Sequence, residues 1–298
     1  MSGEERMVKS TATFWWGVVL IVLAALSWST AGLFPRLVST DVFTTLFWRS
    51  LLGGITVLAL QAALNKRDDL TSLWKLSQPE WGMSIMTAVA MITFIAAFFY
   101  ASVADVVFIY GAFPVLTLVL SALLLHTGFK RVDVLCSIIV AMGVTLILWG
   151  QPSLENAFGT LLSFVATVMF ALMTLGIKRY PNAEMVKVTY TGAFLSAMMM
   201  LPFADFAHTS NGDLAWLWLY GVLNIGVGFG LFLLGVRRIP SVLASLICMI
   251  EIPLAPFWAY AFFGDKVTGQ SLFGGAIVLL AVLANLAWSG RKTGSATP

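Results

Sequence analysis

The chain has 298 residues, of which 59% are hydrophobic and only 10% charged, with a net charge of +3 and a mean hydropathy of +0.92. So much apolar surface excludes a water-soluble core, and so small a charge, scattered between apolar runs, gives no support to a nucleic-acid partner. The two cysteines, Cys136 and Cys248, both fall inside apolar runs, which excludes a structural disulfide and a cysteine-based metal site.

Taken in chain order, windows of about 19 residues predict ten membrane helices. They cover residues 14–34, 42–63, 81–101, 105–125, 132–150, 158–178, 185–203, 214–235, 240–262 and 270–289. The expected fold class is all-α and polytopic, with no soluble domain between the spans. The first run reads as a membrane helix and not as a signal peptide. It leads into Leu33-Phe34-Pro35-Arg36 without a small-x-small cleavage site, and its removal would leave an odd number of spans. Arg6 and Lys9 precede span one, Lys66, Arg67 and Lys75 follow span two, and Lys130 and Arg131 follow span four. Lys178, Arg179 and Lys187 flank the 6/7 loop, Arg237 and Arg238 lie in the 8/9 loop, and Arg291 and Lys292 follow span ten. The opposite loops carry Arg36 and Lys266, and Arg49 lies within span two. The positive-inside rule then places both termini in the cytoplasm.

The two halves read as a repeat, residues 1–151 and 152–298. Ala104-Asp105-Val106-Val107-Phe108-Ile109-Tyr110-Gly111-Ala112-Phe113-Pro114 can be laid on Leu243-Ala244-Ser245-Leu246-Ile247-Cys248-Met249-Ile250-Glu251-Ile252-Pro253, so spans four and nine each hold a proline at the same place. Five spans is an odd number, so a duplicated five-span unit enters the membrane inverted, a construction common in secondary transporters. Pro114, Pro253 and Pro256 mark where spans four and nine should bend, and Gly32, Gly111 and Gly176 are further hinge candidates.

Several segments resemble the drug/metabolite transporter superfamily, of the type with two tandem five-helix EamA repeats. They are Trp28-Ser29-Thr30-Ala31-Gly32, Ser241-Val242-Leu243-Ala244-Ser245-Leu246, Glu251-Ile252-Pro253-Leu254-Ala255-Pro256 and Phe263-Gly264-Asp265. The first repeat departs from that pattern, since no acidic residue precedes Pro114 and no Gly-Glu follows span four. Size and layout are most similar to the amino-acid exporters of the superfamily, aromatic amino-acid exporters among them. The resemblance implies an inner-membrane exporter of small metabolites working by alternating access. A drug or nucleotide-sugar type carrier of the same fold is the alternative.

Ionisable groups inside a membrane are costly enough to be functional candidates. Glu251, about twelve residues into span nine, is the one carboxylate near mid-membrane, because Asp105 and Asp133 sit near span ends. Arg49 lies seven residues into span two. Arg49 either forks onto a substrate carboxylate or snorkels to the outer interface. Glu251 either meets a substrate ammonium, carries a coupling proton, or sits in a structural pair. Trp28, Ser29, Thr30, Tyr100, Tyr110, Tyr190, Asn224 and Ser245 are the remaining polar or amphipathic groups that could touch substrate, while Phe and Met read as core or lipid-facing filler. No His-Glu-x-x-His, carboxylate pair or Gly-x-x-x-x-Gly-Lys sequence is present, so neither an intramembrane enzyme nor an ATP-driven pump is expected. No filter segment or ring of charge suggests a channel. The expected partners are a small-molecule substrate and the lipid bilayer, with no cofactor. The small-residue faces of spans five and ten leave monomer and homo-oligomer both open.

Overall fold

The computed structural model describes residues 3–64, 74–101, 103–126, 128, 130–147, 157–264 and 269–295. Every regular element among them is helical. The helices are α1 (Gly3–Trp28), α2 (Val42–Leu64), α3 (Gln78–Tyr100), α4 (Val103–Tyr110), α5 (Phe113–Leu125), α6 (Arg131–Ile147) and α7 (Ala157–Arg179). They continue as α8 (Met185–Met200), α9 (Asn211–Gly221), a π-helical segment (Val222–Phe229), α10 (Gly230–Val236), α11 (Ser241–Cys248), α12 (Glu251–Phe263) and α13 (Gly269–Ser295).

Seven stretches among the described residues are long and apolar enough to cross a membrane: Val42–Ala63, Gln78–Tyr100, Val106–Leu125, Ala157–Arg179, Asn211–Val236, Ser241–Phe263 and Leu272–Ser289. A 23-residue helix such as Gln78–Tyr100 is about 35 Å long, enough for the hydrocarbon core. The expected spans one, five and seven are also helical but shorter. Ala12–Trp28 is the apolar part of the first, α6 has 17 residues and α8 has 16. Residues 148–150, the expected end of span five, lie outside the described residues. Side chains such as Leu60, Leu123, Leu135, Met198, Leu280 and Leu283 are more than half exposed on the outside of the bundle, a surface suited to lipid and not to water.

Spans four and nine are each two helices. The chain breaks at Gly111-Ala112 and again at Met249-Ile250, and Pro114 and Pro253 stand in the first turn of the second half. A proline fits there because the amides of a first turn have no intrahelical acceptor. The side chain of Pro256 lies outside the described residues. Gly176, by contrast, sits inside unbroken α7, and Gly32 lies in the turn that follows α1.

Two spans expected to be continuous are interrupted. Span one stops being an α-helix at Trp28, where the Ser29 hydroxyl donates to Leu26 O (2.6 Å) and Thr30 Oγ1 donates to Ser27 O (2.7 Å). Such local bonds compete with the helical ladder. Span eight widens into the π-helical segment, where Trp28 Nε1 donates to Asn224 O (3.0 Å) and Ser27 Oγ to Leu223 O (2.6 Å). The end of span one is thus bonded to carbonyls of the widened turn.

The packing follows a regular scheme. α3 lies against α7 and α8, α2 against α8 and α9, α1 against α10 and α11, α5 against α7 and α11, and α6 against α13. Gly143 and Gly274 face each other across the last pair. A Cβ on Gly274 would stand 2.7 Å from Gly143 O, so the small faces of spans five and ten pack together within the chain.

Candidate functional site

Seven spans converge on one cavity. Trp28 and Ala31 come from the end of span one, Arg49 from α2, and Ala90, Met91, Phe94 and Ile95 from α3. Tyr110 comes from α4, Ala166 and Phe170 from α7, Asn224 and Phe229 from the π-helical segment, and Glu251 from the start of α12. Spans one, four, eight and nine present the site because each is interrupted there. A break in a membrane helix is tolerated where it lines a cavity, since groups freed from the ladder then find partners.

Arg49 is enclosed, with 2% of its surface exposed, and its Cζ lies 4.7 Å from the centre of the Tyr220 ring. Its Nε and Nη1 have no hydrogen-bond partner, and no ion pair involves it among the described residues. Cation–π contact with Tyr220 contributes about 1–2 kcal/mol at such a desolvated site, well short of what a buried guanidinium loses on leaving water. Glu251 is 8% exposed, beside Tyr110, and it too has no ion-pair partner among the described residues. Asn224 contributes a third polar group, since its Nδ2 has no partner although its backbone carbonyl holds Trp28. Aromatic rings make up much of the rest of the wall. The Trp28 ring lies 5.1 to 5.3 Å from those of Phe229, Phe170 and Phe232, and Phe113 stacks on Tyr110. A guanidinium and an amide with unpartnered donors, and a carboxyl without an ion pair among the described residues, suit a small solute that carries both charges and an apolar body.

Of the residues singled out from the sequence, Trp28, Arg49, Tyr110, Asn224 and Glu251 meet at this cavity. Ser29 stands behind it, accepting a hydrogen bond from Trp258 Nε1 (2.8 Å), and Thr30 bonds back to Ser27 O. Tyr100 packs on Phe158 at the far end of α3. Tyr190 is buried beside Trp74 and Phe194, and Ser245 bonds to Val242 O within α11. These three lie outside the cavity lining. Phe94, Phe170 and Phe229 line it unannounced, and Tyr220 stands behind Arg49. Nothing in their spacing separates them from the other phenylalanines and tyrosines, and only the interruption of span eight picks out the two residues on or beside it.

Among the described residues no group of three His, Cys, Asp or Glu side chains could hold a metal ion.

Comparison with known proteins places this geometry. The profile of the EamA-like transporter family matches twice, over residues 15–149 and 157–287. A protein of Archaeoglobus fulgidus described as an uncharacterized transporter is 27% identical over 278 residues, spanning 92% of this chain and 96% of its own. Another uncharacterized transporter, from a Synechocystis species, is 25% identical over 255 residues, 78% of this chain and 73% of its own. A crystal structure at 16% identity superposes with a TM-score of 0.79 over 93% of this chain and 98% of the other, which establishes the shared fold alone.

Proposed function

The chain belongs to the EamA-like transporter family, and on that premise we propose that it is a ten-span secondary carrier that exports amino acids across a bacterial inner membrane. The observation that carries the substrate class is two opposite charges on one aromatic-rich cavity: Arg49, with two donors that have no partner, and Glu251, with no ion pair among the described residues. The planar guanidinium grips the substrate carboxylate through the Nε and Nη1 donors, and Glu251 receives the ammonium group. The side chain lies among Trp28, Phe94, Phe170 and Phe229, a wall that accepts aliphatic and aromatic groups alike. The cavity therefore selects for the zwitterion more strongly than for the side chain.

Alternating access between two inverted halves, residues 1–151 and 152–298, is supported by the packing. Exchanging each span for the one five places later turns α3 against α7 into α1 against the 8th span. It turns α3 against α8 into α2 against the 8th span, and leaves α6 against α13 and α2 against α8 unchanged. The lysine- and arginine-rich loops put both termini in the cytoplasm.

The test is uptake of labelled amino acids into proteoliposomes by wild type, Arg49→Gln and Glu251→Gln. Each variant is expected to lose at least tenfold in kcat/KM, about the loss of one buried charge-assisted contact. Wild-type rates in both would refute the assignment of both charges. Flux of cationic drugs or nucleotide sugars with none of amino acids would refute the substrate class and leave the fold assignment standing.

A further inference from the structure

Outside the cavity, two carboxylates occupy the same position on two different helices. Glu80 is the third residue of α3, and its Oε2 accepts from the amide (2.7 Å) and hydroxyl (2.8 Å) of Ser77, the N-cap. Asp213 is the third residue of α9, and its Oδ2 accepts from the amide (3.1 Å) and hydroxyl (2.6 Å) of Ser210, again the N-cap. In each case one carboxylate oxygen completes the helix cap.

The second oxygen of each reaches across the chain. Glu80 Oε1 accepts from the Glu184 amide (2.6 Å), in the turn that opens α8. Asp213 Oδ1 accepts from the Ser39 amide (2.9 Å), in the turn that opens α2, and Ser39 Oγ adds a bond to Oδ2 (2.9 Å). Both carboxylates are buried, with 5% and 6% of their surface exposed. A cap needs only its own serine, so these cross-chain bonds do something else.

The two ties lie at opposite ends of the molecule. α8 follows its N-cap Glu184 and ends just before Phe203 and Asp205, where the Asp205 amide donates to Thr44 Oγ1 (2.8 Å) close to Ser39. Its 16 residues separate the ends by about 24 Å. The Glu80 end is the basic one, where Lys187 Nζ bonds Glu184 Oε1 (3.0 Å) and Lys75 O (3.4 Å). Each tie also sits on an element that leads to the cavity. α3 supplies Ala90, Met91, Phe94 and Ile95, and α9 runs into the segment holding Asn224 and Phe229.

We propose that Glu80 and Asp213 are the two gate latches of transport, one for each end of the cavity. Release of Glu80 from Glu184 frees α3 from α8 and opens the cavity at the basic end. Release of Asp213 from Ser39 frees α9 from α2 and opens the opposite end. With both bonds made, as here, the cavity is held at both ends at once. The inference rests on the carrier reading above and is independent of which solute is carried.

The experiment therefore uses no substrate. In a Cys136→Ser, Cys248→Ser background, Ala166→Cys places one thiol on the cavity wall of α7, and a membrane-impermeant thiol reagent is applied to right-side-out or inside-out vesicles. Glu80→Ala is expected to raise labelling by about tenfold from one face, and Asp213→Ala by about tenfold from the other, the population shift that loss of one charge-assisted bond brings. Ser77→Ala and Ser210→Ala weaken the caps while leaving both cross-chain amide bonds, and labelling should stay near wild type. If the alanine variants fail to reach the membrane, Glu80→Gln and Asp213→Asn, which keep one acceptor oxygen, give the same test at smaller amplitude. Increases from the same face, from both faces equally, or from neither overturn the proposal. So does an increase in the serine variants equal to that in the carboxylate variants, which would reduce both residues to helix caps. Absence of amino-acid flux in a protein whose labelling responds from opposite faces would refute the substrate and keep the latches.

Discussion

Gly228 offers the sharpest mechanical test of how the cavity wall is built. A Cβ at that position would stand 2.2 Å from Trp28 Nε1, 2.5 Å from its Cδ1 and 3.0 Å from its Cε2. The indole cannot yield by rotating a flexible tip, because Phe170, Phe229 and Phe232 enclose it and its Nε1 is bonded to Asn224 O. Gly228→Ala must therefore displace Trp28, at a cost of about 1–3 kcal/mol for overpacking and about 1 kcal/mol for the buried hydrogen bond. In a Trp28→Ala background the same methyl group enters open space, and alanine gains about 1 kcal/mol over glycine in helical backbone. A double-mutant cycle, read by SDS-induced unfolding of the purified protein in mixed micelles, should give a coupling energy of at least about 2 kcal/mol. Equal effects of Gly228→Ala in the two backgrounds would refute the claim that this glycine exists to seat Trp28 against the widened turn.

Three further outcomes are expected. Gly274→Ala pushes a methyl group to 2.7 Å from Gly143 O, a backbone atom, so it should lose about 1–3 kcal/mol in the same unfolding assay with unchanged substrate competition in transport. Asn224→Ala removes an amide whose Nδ2 holds no partner in the protein, so unfolding should barely change while KM for the substrate rises about fivefold. The Asp205 carboxyl accepts from His208 and from the Ala207 amide, bonds that hold it below the usual carboxylate range. A depressed folded value contributes stability above the unfolded value and loses it as pH falls through the folded one. The melting-temperature advantage of wild type over Asp205→Asn should accordingly hold above about pH 4 and shrink as pH falls below it.

Composition and window hydropathy were enough to read the all-helical membrane class, because a run of about 20 apolar residues has few other fates. Proline placement likewise pointed to the broken spans, since a missing amide and a fixed φ act locally. The π-helical segment was not legible: Val222–Phe229 reads as ordinary apolar helix, and it is the insertion of Ser27 and Trp28, 196 residues away, that takes up its carbonyls. Arg49 and Glu251 stood out because charge is rare in hydrocarbon, whereas Phe94, Phe170 and Phe229 did not, because 22 phenylalanines share one chemistry and only tertiary packing sorts them. The capping pairs Ser77/Glu80 and Ser210/Asp213 are sequence-local, but the acceptor oxygen each turns on a distant amide is a property of the assembled bundle.

The central claim is that the cavity recognises both charges of a zwitterion. It is tested most directly by counterflow of a labelled aromatic amino acid in proteoliposomes, with three unlabelled competitors: the same amino acid, its decarboxylated amine and its deaminated acid. The account predicts that only the intact amino acid competes, since the amine leaves Arg49 without a carboxylate and the acid leaves Glu251 without an ammonium. Equal competition by the amine or by the acid would contradict it.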